Sequence, residues 1–234
     1  MSERDTRTAM LIGDAALNKI KNARVALFGL GGVGGYTAEA LVRAGIGAID
    51  IFDNDTVSES NINRQIIATY ETLGEYKTDA FERRILSINP DCKITKHTAF
   101  VTKESAAQID FTQYGYVIDA IDTVSAKIAI AERCDALGVP LIASMGTGNK
   151  LDPTRFEISD VYKTSVCPLA RVMRAELKKR GVKKLKVLYS KEEPIKPEQS
   201  EPNSKKPTPA SISFVPSVAG LLIASEVIKD IISN

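Results

Sequence analysis

The sequence predicts an α/β fold built on a doubly wound, mostly parallel sheet, and three features point to it. Apolar runs of strand length alternate with helix-length segments through residue 144, the rhythm of consecutive β–α units. The run Val25-Ala26-Leu27-Phe28 ends in Gly29-Leu30-Gly31-Gly32-Val33-Gly34-Gly35, and a helix-like stretch, Thr37 to Arg43, follows at once. A buried strand that turns sharply into a helix reads this way. A second strand-like run, Ala48 to Asp53, ends in an acid nineteen residues after Gly34.

Residues 5–22 read as one helix, with Leu11, Ile12, Ala15, Ala16 and Ile20 near helical spacing. Strand one is Arg24 to Phe28, and the helix after the glycines stops near Ala44-Gly45. A polar, irregular stretch from Asn54 to Gln65 follows strand two. Glu75 to Ile88 is an amphipathic helix closed by Asn89-Pro90. Lys93 to His97 is a third strand, Lys103 to Ile109 a short helix, and Tyr116 to Ala120 a fourth strand. Ser125 to Leu137 is a helix ending at Gly138, and Leu141 to Ser144 a fifth strand. Then the rhythm changes. Arg155 to Val161 and Leu185 to Tyr189 read as strands around a basic helix, Pro168 to Arg180. Residues 191–211 are polar, hold five of the ten prolines and read as a mobile loop. Val218 to Ile232 is an apolar helix suited to packing on the sheet.

With 234 residues, 44% of them hydrophobic, the chain suits one globular domain with a small appendage. A net charge of +2 gives no global argument for nucleic acid, so local charge has to make that case. No apolar run is long enough to span a membrane, and the charged start Met1-Ser2-Glu3-Arg4-Asp5 lacks the apolar core of a signal peptide. Cys92, Cys134 and Cys167 are odd in number and far apart, which suggests a reducing cytoplasm. With no Cys-x-x-Cys pair and one histidine, His97, a Cys/His zinc site is not expected.

The glycine turn fits G-x-G-x-x-G as Gly29, Gly31 and Gly34, with Asp53 placed to bond a ribose hydroxyl. Glycines allow a tight turn and close approach to a ligand, and the helix N-terminus behind them attracts phosphate. Alone, this motif does not say which nucleotide binds, and an NAD(P)-binding oxidoreductase or a nucleotide-sensing module fits it too. Asn61 and Arg64 lie three apart and would share a face on a helical turn, and Lys77 follows thirteen residues later, near the start of its helix. An amide, a guanidinium and an ammonium converging beside the glycine turn suit a triphosphate. Singly, Arg64 and Lys77 also read as solvated surface charges. Asp122 follows strand four, on the ligand face of a parallel sheet. It could hold Mg²⁺ against phosphates, cap the next helix, or both.

Gly29-x-Gly31-Gly32-x-Gly34, Asp53-x-Asp55-x-Val57, Asn61-x-x-Arg64-Gln65, Lys77 and Asp122 resemble the ubiquitin-activating-enzyme-like superfamily of ATP-dependent adenylating enzymes, which includes the ThiF, MoeB and HesA proteins. The match runs through roughly the first 145 residues, far more specific than a lone glycine motif. With these readings the chain divides into three parts: an N-terminal helix (1–22), an ATP-binding Rossmann-like core (23–150) and a substrate-side extension (151–234) with the mobile loop 191–211. The resemblance implies activation of a carboxylate as an acyl-adenylate by ATP and Mg²⁺. Gly29, Gly31, Gly32 and Gly34 would form the phosphate turn, with Asp53 and Asp55 beside it and Asp53 on the ribose. Asn61, Arg64 and Lys77 would bind phosphates, and Asp122 the metal. Arg7 matches the family's arginine that reaches ATP from the other subunit, which implies a homodimer.

Further along, Gly45-Ile46-Gly47-Ala48-Ile49, Ser87-Ile88-Asn89-Pro90, Leu151-Asp152-Pro153-Thr154 and Asp160-Val161-Tyr162-Lys163-Thr164 resemble one branch, the tRNA threonylcarbamoyladenosine dehydratases. That likeness covers most of the chain and fades across residues 186–215. It implies ATP-dependent cyclisation of threonylcarbamoyladenosine beside the tRNA anticodon. The alternative is an activator of a sulfur-carrier or ubiquitin-like protein. Many such activators carry two Cys-x-x-Cys pairs, which this chain lacks. Whether a sulfur-transfer protein is a partner stays open.

Local charge offers a place for tRNA. From Lys178 to Lys196 eight Lys and Arg residues face two Glu. With Arg171 and Arg174 upstream, Lys178, Lys179, Lys183 and Lys184 could contact phosphates, or form a solvated face. Aromatics for base stacking are scarce, with only Tyr189 nearby. Cys167, near a helix start, could carry a thioester as in related ligases, or be incidental. Cys92 and Cys134 read as packing residues.

Overall fold

Val25 to Phe28 are fully buried because alternate residues of this strand serve two apolar layers. In β1 (Arg24–Phe28), Val25 and Leu27 join Leu41, Ile49 and Ile51, whereas Ala26 and Phe28 join Phe52, Phe111 and Val117 on the opposite face. A strand buried on both faces requires helices above and below its sheet. The computed structural model, which describes residues 2–196 and 209–233, has that architecture.

Helices α1 (Thr6–Ile12) and α2 (Asp14–Asn22) precede β1. Then come α3 (Gly32–Arg43), β2 (Ala48–Phe52), α4 (Lys77–Ile88), β3 (Lys93–His97) and α5 (Lys103–Gln108). The chain continues through β4 (Tyr116–Asp119), α6 (Val124–Leu137), β5 (Leu141–Ser144), β6 (Phe156–Asp160), α7 (Pro168–Lys179), β7 (Lys186–Ser190) and α8 (Phe214–Ser233). One sheet orders the strands β3-β2-β1-β4-β5-β7-β6. All neighbours are parallel except β6 and β7. β1 pairs with β2 on one side and β4 on the other, so the winding reverses there. A crevice opens at the carboxyl ends of strands at such a switch point.

The extension 151–234 is continuous with this core, since β6 and β7 lengthen the same sheet. α8 packs against α3 at backbone distance. The Thr37 hydroxyl donates within 3.1 Å of both Val33 O and Gly220 O, and a Cβ on Gly220 would lie 2.4 Å from Val33 O. α8 starts before the apolar run at Val218, because Pro216 fits a first turn, where its missing N–H costs nothing.

One expectation is corrected. Residues 5–22 are not one helix. Gly13, at φ 82°, breaks them in two, and the first piece buries none of its residues. At the two ends of segment 191–211, the described residues bond to the loop after β5. The Glu192 carboxylate accepts from Leu151 N at 2.8 Å and Asp152 N at 3.0 Å. Ile195 N donates to Asn149 O at 2.8 Å, and Ala210 exchanges two 2.7 Å bonds with Asn149. Residues 197–208 of the expected mobile loop lie outside the described residues.

Candidate active site

The crevice at the switch point is a cavity of about 850 Å³. Its floor is the turn from β1 to α3. Gly29 sits there at φ +88°, and a Cβ on it would meet Ala120 O at 2.8 Å. Gly29, Gly31 and Gly32 line the cavity. Gly34 does not appear in the lining. Its missing side chain lets α3 approach the turn, since a Cβ there would stand 1.8 Å from Gly29 O.

Asp53, just past β2, binds back onto this floor. Its Oδ2 accepts from Leu30 N at 2.7 Å and its Oδ1 from Asp55 N at 2.8 Å. Burial pushes the Asp53 carboxyl above the ordinary range, against the pull of Lys77 and these two N–H groups. Lys77 opens α4 and is 5% exposed. Its ammonium lies 2.8 Å from Asp55 Oδ2 and 3.9 Å from Asp53 Oδ1.

Asn61 ends a short 3₁₀ turn, Glu59–Asn61, and its Oδ1 accepts from Ser58 N at 3.2 Å. Arg64 N and Gln65 N both donate to Asn61 O, which winds the next turn. Arg64 Nη1 donates to Ser60 O at 2.8 Å and Asn63 Oδ1 at 2.9 Å, fixing the guanidinium plane. Asn63 Nδ2 donates to Ser211 O at 3.1 Å, tying this turn to the returning segment before α8.

Asp122 is exposed within the cavity, and a weak 3.4 Å bond from the Thr123 hydroxyl reaches its Oδ1. It does not cap α6. The N-cap is Thr123, and no side chain bonds there. Thus Asp53, Asp55, Asn61, Arg64, Lys77 and Asp122 share one cavity with three of the glycines. Arg7 lies outside it, exposed on α1.

Gln65 follows Arg64 in the sequence motif, and spacing alone assigns it no role. Gln65 lines the cavity at 7% exposure, and its Oε1 has no hydrogen-bond partner among the described residues. Ser144 at the end of β5, the loop Met145 to Gly148 after it and the aromatic Phe100 also line it. Their signal was position: each lies at or after the carboxyl end of a parallel strand.

The basic set is only partly surface. Arg171, Lys178, Lys179, Lys183 and Lys184 are exposed. Lys179 pairs with Glu176 at 2.7 Å, and Arg174 is half-buried with Nη1 donating to Thr164 O at 3.0 Å. Tyr189 is 2% exposed and cannot stack on a base. Cys167 is buried at the start of α7 among Met145, Ala170 and Leu185. Burial pushes the Cys92 thiol to about 11 and the Cys134 thiol to about 12, as befits packing residues.

A family model described as the ThiF family matches residues 4–234. The chain belongs to the ThiF family. This ThiF-family chain is 42% identical to the tRNA threonylcarbamoyladenosine dehydratase of Bacillus subtilis (strain 168), an alignment covering 98% of this chain and 94% of that protein. Among solved structures it is similar to Escherichia coli tRNA N6-threonylcarbamoyladenosine dehydratase in complex with ATP. That match has a TM-score of 0.90 at 34% identity and covers 99% of this chain and 94% of the other. The same protein in complex with AMP also matches with a TM-score of 0.90, at 35% identity and the same coverage.

Proposed function

We propose that this ThiF-family chain uses ATP and Mg²⁺ to cyclise threonylcarbamoyladenosine in tRNA. The observation that carries the reading is the cavity of Gly31, Asp53, Asn61, Arg64, Lys77 and Asp122, in a chain similar over nearly its whole length to an ATP-bound dehydratase of that nucleoside.

Asp53 accepts from the ribose hydroxyls with lone pairs left over from Leu30 N and Asp55 N. The glycine turn and the first N–H groups of α3 receive phosphate. Arg64 binds the phosphates in a plane already fixed by Ser60 and Asn63. Lys77 exchanges its exposed partner Asp55 for a phosphate oxygen. The threonyl carboxylate attacks the α-phosphorus, and pyrophosphate leaves. The carbamoyl group then closes on the activated carbonyl and AMP leaves. Holding both groups on one nucleoside makes this last step intramolecular. No protein nucleophile is needed, so Cys167 has no assigned part.

The charges around the cavity support both a metal and a second chain. Asp53, Asp55 and Asp122 outnumber Arg64 and Lys77, so this lining is net negative when ionised. A triphosphate needs the opposite sign. Among the described residues no three His, Cys, Asp or Glu side chains group as a metal site. One uncommitted carboxylate, Asp122, fits Mg²⁺, which is typically held by one or two carboxylates plus substrate phosphates. When bound, the metal neutralises charge developing on the phosphates. Arg7, exposed on a helix with no buried residues and with Met10 and Leu11 82% and 85% exposed, suits donation to a partner's cavity in a homodimer.

tRNA phosphates would meet Arg171, Lys178, Lys183 and Lys184, with Lys179 and Arg174 contributing less because of their internal bonds. Leu169 lines the cavity, and Lys178 lies roughly 14 Å further along α7 by helical rise. A tRNA substrate and three buried free cysteines suit the cytoplasm, and no described helix is long and apolar enough to cross a membrane. A sulfur-transfer partner is supported by no residue of the cavity. Activation of a sulfur-carrier protein is the second reading.

The test is to incubate the protein with Mg·ATP and tRNA bearing threonylcarbamoyladenosine, digest, and weigh the nucleosides. Loss of one water from the modified nucleoside, with AMP release, is the expected result, and Cys167→Ser retains it. No mass change overturns the reading, and AMP release only with a Gly-Gly-ended carrier protein would favour the second one.

A further inference from the structure

The turn that carries Asp122 is gripped from beneath by an ion pair that the proposed chemistry does not use. Asp119 ends β4 and Lys127 closes the first turn of α6, and both are 0% exposed. Lys127 Nζ lies 3.0 Å from Asp119 Oδ2 and donates to Ile121 O at 3.1 Å. Asp119 Oδ1 accepts from Ile121 N at 3.2 Å. Both peptide groups flanking Ile121 are therefore held, and the second one joins Ile121 to Asp122. The turn is also tied to the glycine floor, because Ala120 N donates to Phe28 O at 2.8 Å and a Cβ on Gly29 would strike Ala120 O.

Burying two opposite charges is costly, and an apolar pair of similar volume commonly stabilises a fold as well or better. What an apolar pair cannot do is hold the Ile121 carbonyl. Burial pushes the Asp119 carboxyl upward, against the opposing attraction of Lys127. The sequence offers a hint in retrospect: Lys127 interrupts the run Ala126, Ile128, Ala129, Ile130, and a lysine inside an apolar helix face is rare unless paired.

We infer that Lys127, with Asp119, is a positioning residue that fixes the Ile121–Asp122 peptide and so aims the Asp122 carboxylate at the metal beside the phosphates. The inference rests on the reading of Asp122 as the Mg²⁺ carboxylate. Partners that orient a metal ligand typically change metal affinity 10–100-fold when removed.

The test compares Lys127→Met, Asp119→Asn/Lys127→Met and Asp122→Asn with the unmodified protein. Melting temperature is measured first, then ATP affinity by calorimetry at stepped Mg²⁺ concentrations. Lys127→Met alone melts lower, because it leaves Asp119 buried and unpaired. The double variant regains most of that loss and binds ATP without metal as the unmodified protein does. It needs about tenfold or more Mg²⁺ to reach half of its metal-dependent gain in affinity. An unchanged Mg²⁺ requirement in a folded double variant overturns the positioning role. A double variant that fails to fold also overturns it, since the pair would then serve the fold itself. Asp122→Asn separates the two ideas. An unchanged requirement there removes the reading of Asp122 and the inference with it. A raised requirement there, beside an unchanged one in the double variant, overturns the clamp alone.

Discussion

At the residue scale, the glycines of one motif do different work. A Cβ on Gly34 would stand 1.8 Å from Gly29 O, so either the helix or the turn must move. Gly31 faces the cavity, and the nearest atom to its Cβ would be Gln65 Nε2 at 3.9 Å. Gly34→Ala therefore loses stability by about 3 kcal/mol, the upper range for overpacking. Gly31→Ala keeps its melting temperature within about 2 °C, as for a change well under 1 kcal/mol in a chain of this size, but binds ATP more weakly because the methyl stands where phosphate approaches. Thermal denaturation with and without ATP checks both. Equal loss of melting temperature in the two variants would contradict the division. The motif was legible in sequence, but which glycine serves packing and which serves the ligand depends on what stands opposite each Cα.

At the element scale, β2 is anchored by one buried carboxylate. Arg24 donates to both oxygens of Asp50 at 2.9 Å, the Tyr114 hydroxyl donates to Oδ2 at 2.9 Å, and His97 Nε2 lies 3.3 Å from it. These residues belong to β1, β2, β3 and the loop before β4. Burial pushes the Asp50 carboxyl up, but the bonds from Arg24, Tyr114 and His97 outweigh it and hold it below the ordinary value. The unfolded carboxyl titrates near about 3.9. Asp50 thus stabilises the fold fully above that value, and the contribution is lost as pH falls through the lower folded value. Arg24→Met raises the folded value, so acid unfolding followed by circular dichroism shifts to higher pH. An unshifted midpoint would mean that the network contributes nothing to acid resistance. Strand positions were read from apolar runs to within a residue or two, but this network was not. Its four members are separated in sequence, and only parallel pairing of β1 with β2 and β4, and of β2 with β3, brings them together.

At the scale of the whole molecule, the cavity of one chain is short of positive charge. In the proposed homodimer each cavity uses Asp122 of its own chain and Arg7 of the partner subunit. Arg7→Ala and Asp122→Ala are each inactive alone. Mixed in equal amounts and allowed to exchange subunits, they form heterodimers with one complete site. About a quarter of the unmodified activity is then recovered, because half of the dimers carry one working site of two. No recovery in the nucleoside mass assay would show that Arg7 and Asp122 do not meet across two chains.

Local sequence determined the alternation of strands and helices, the glycine turn with its acid, and the ordered set Asn61, Arg64, Lys77 and Asp122. The alternation, the glycine turn and the Asn61–Arg64 pair are written in short-range spacing, where periodicity and turn chemistry act, whereas Lys77 and Asp122 join them only through the order of the sheet. Tertiary structure alone decided that β6 and β7 join the same sheet and that Arg174 and Tyr189 turn inward, whereas the break at Gly13 is local, a positive-φ glycine whose Cβ would meet no neighbour within 4 Å. Tertiary structure alone brought Lys127 against Asp119 and the Ile121 carbonyl, and the residues before α8 against Asn63 and Asn149. Those outcomes depend on which distant surfaces must be buried together and which buried polar groups must find partners, and neighbouring residues in a chain carry no record of that.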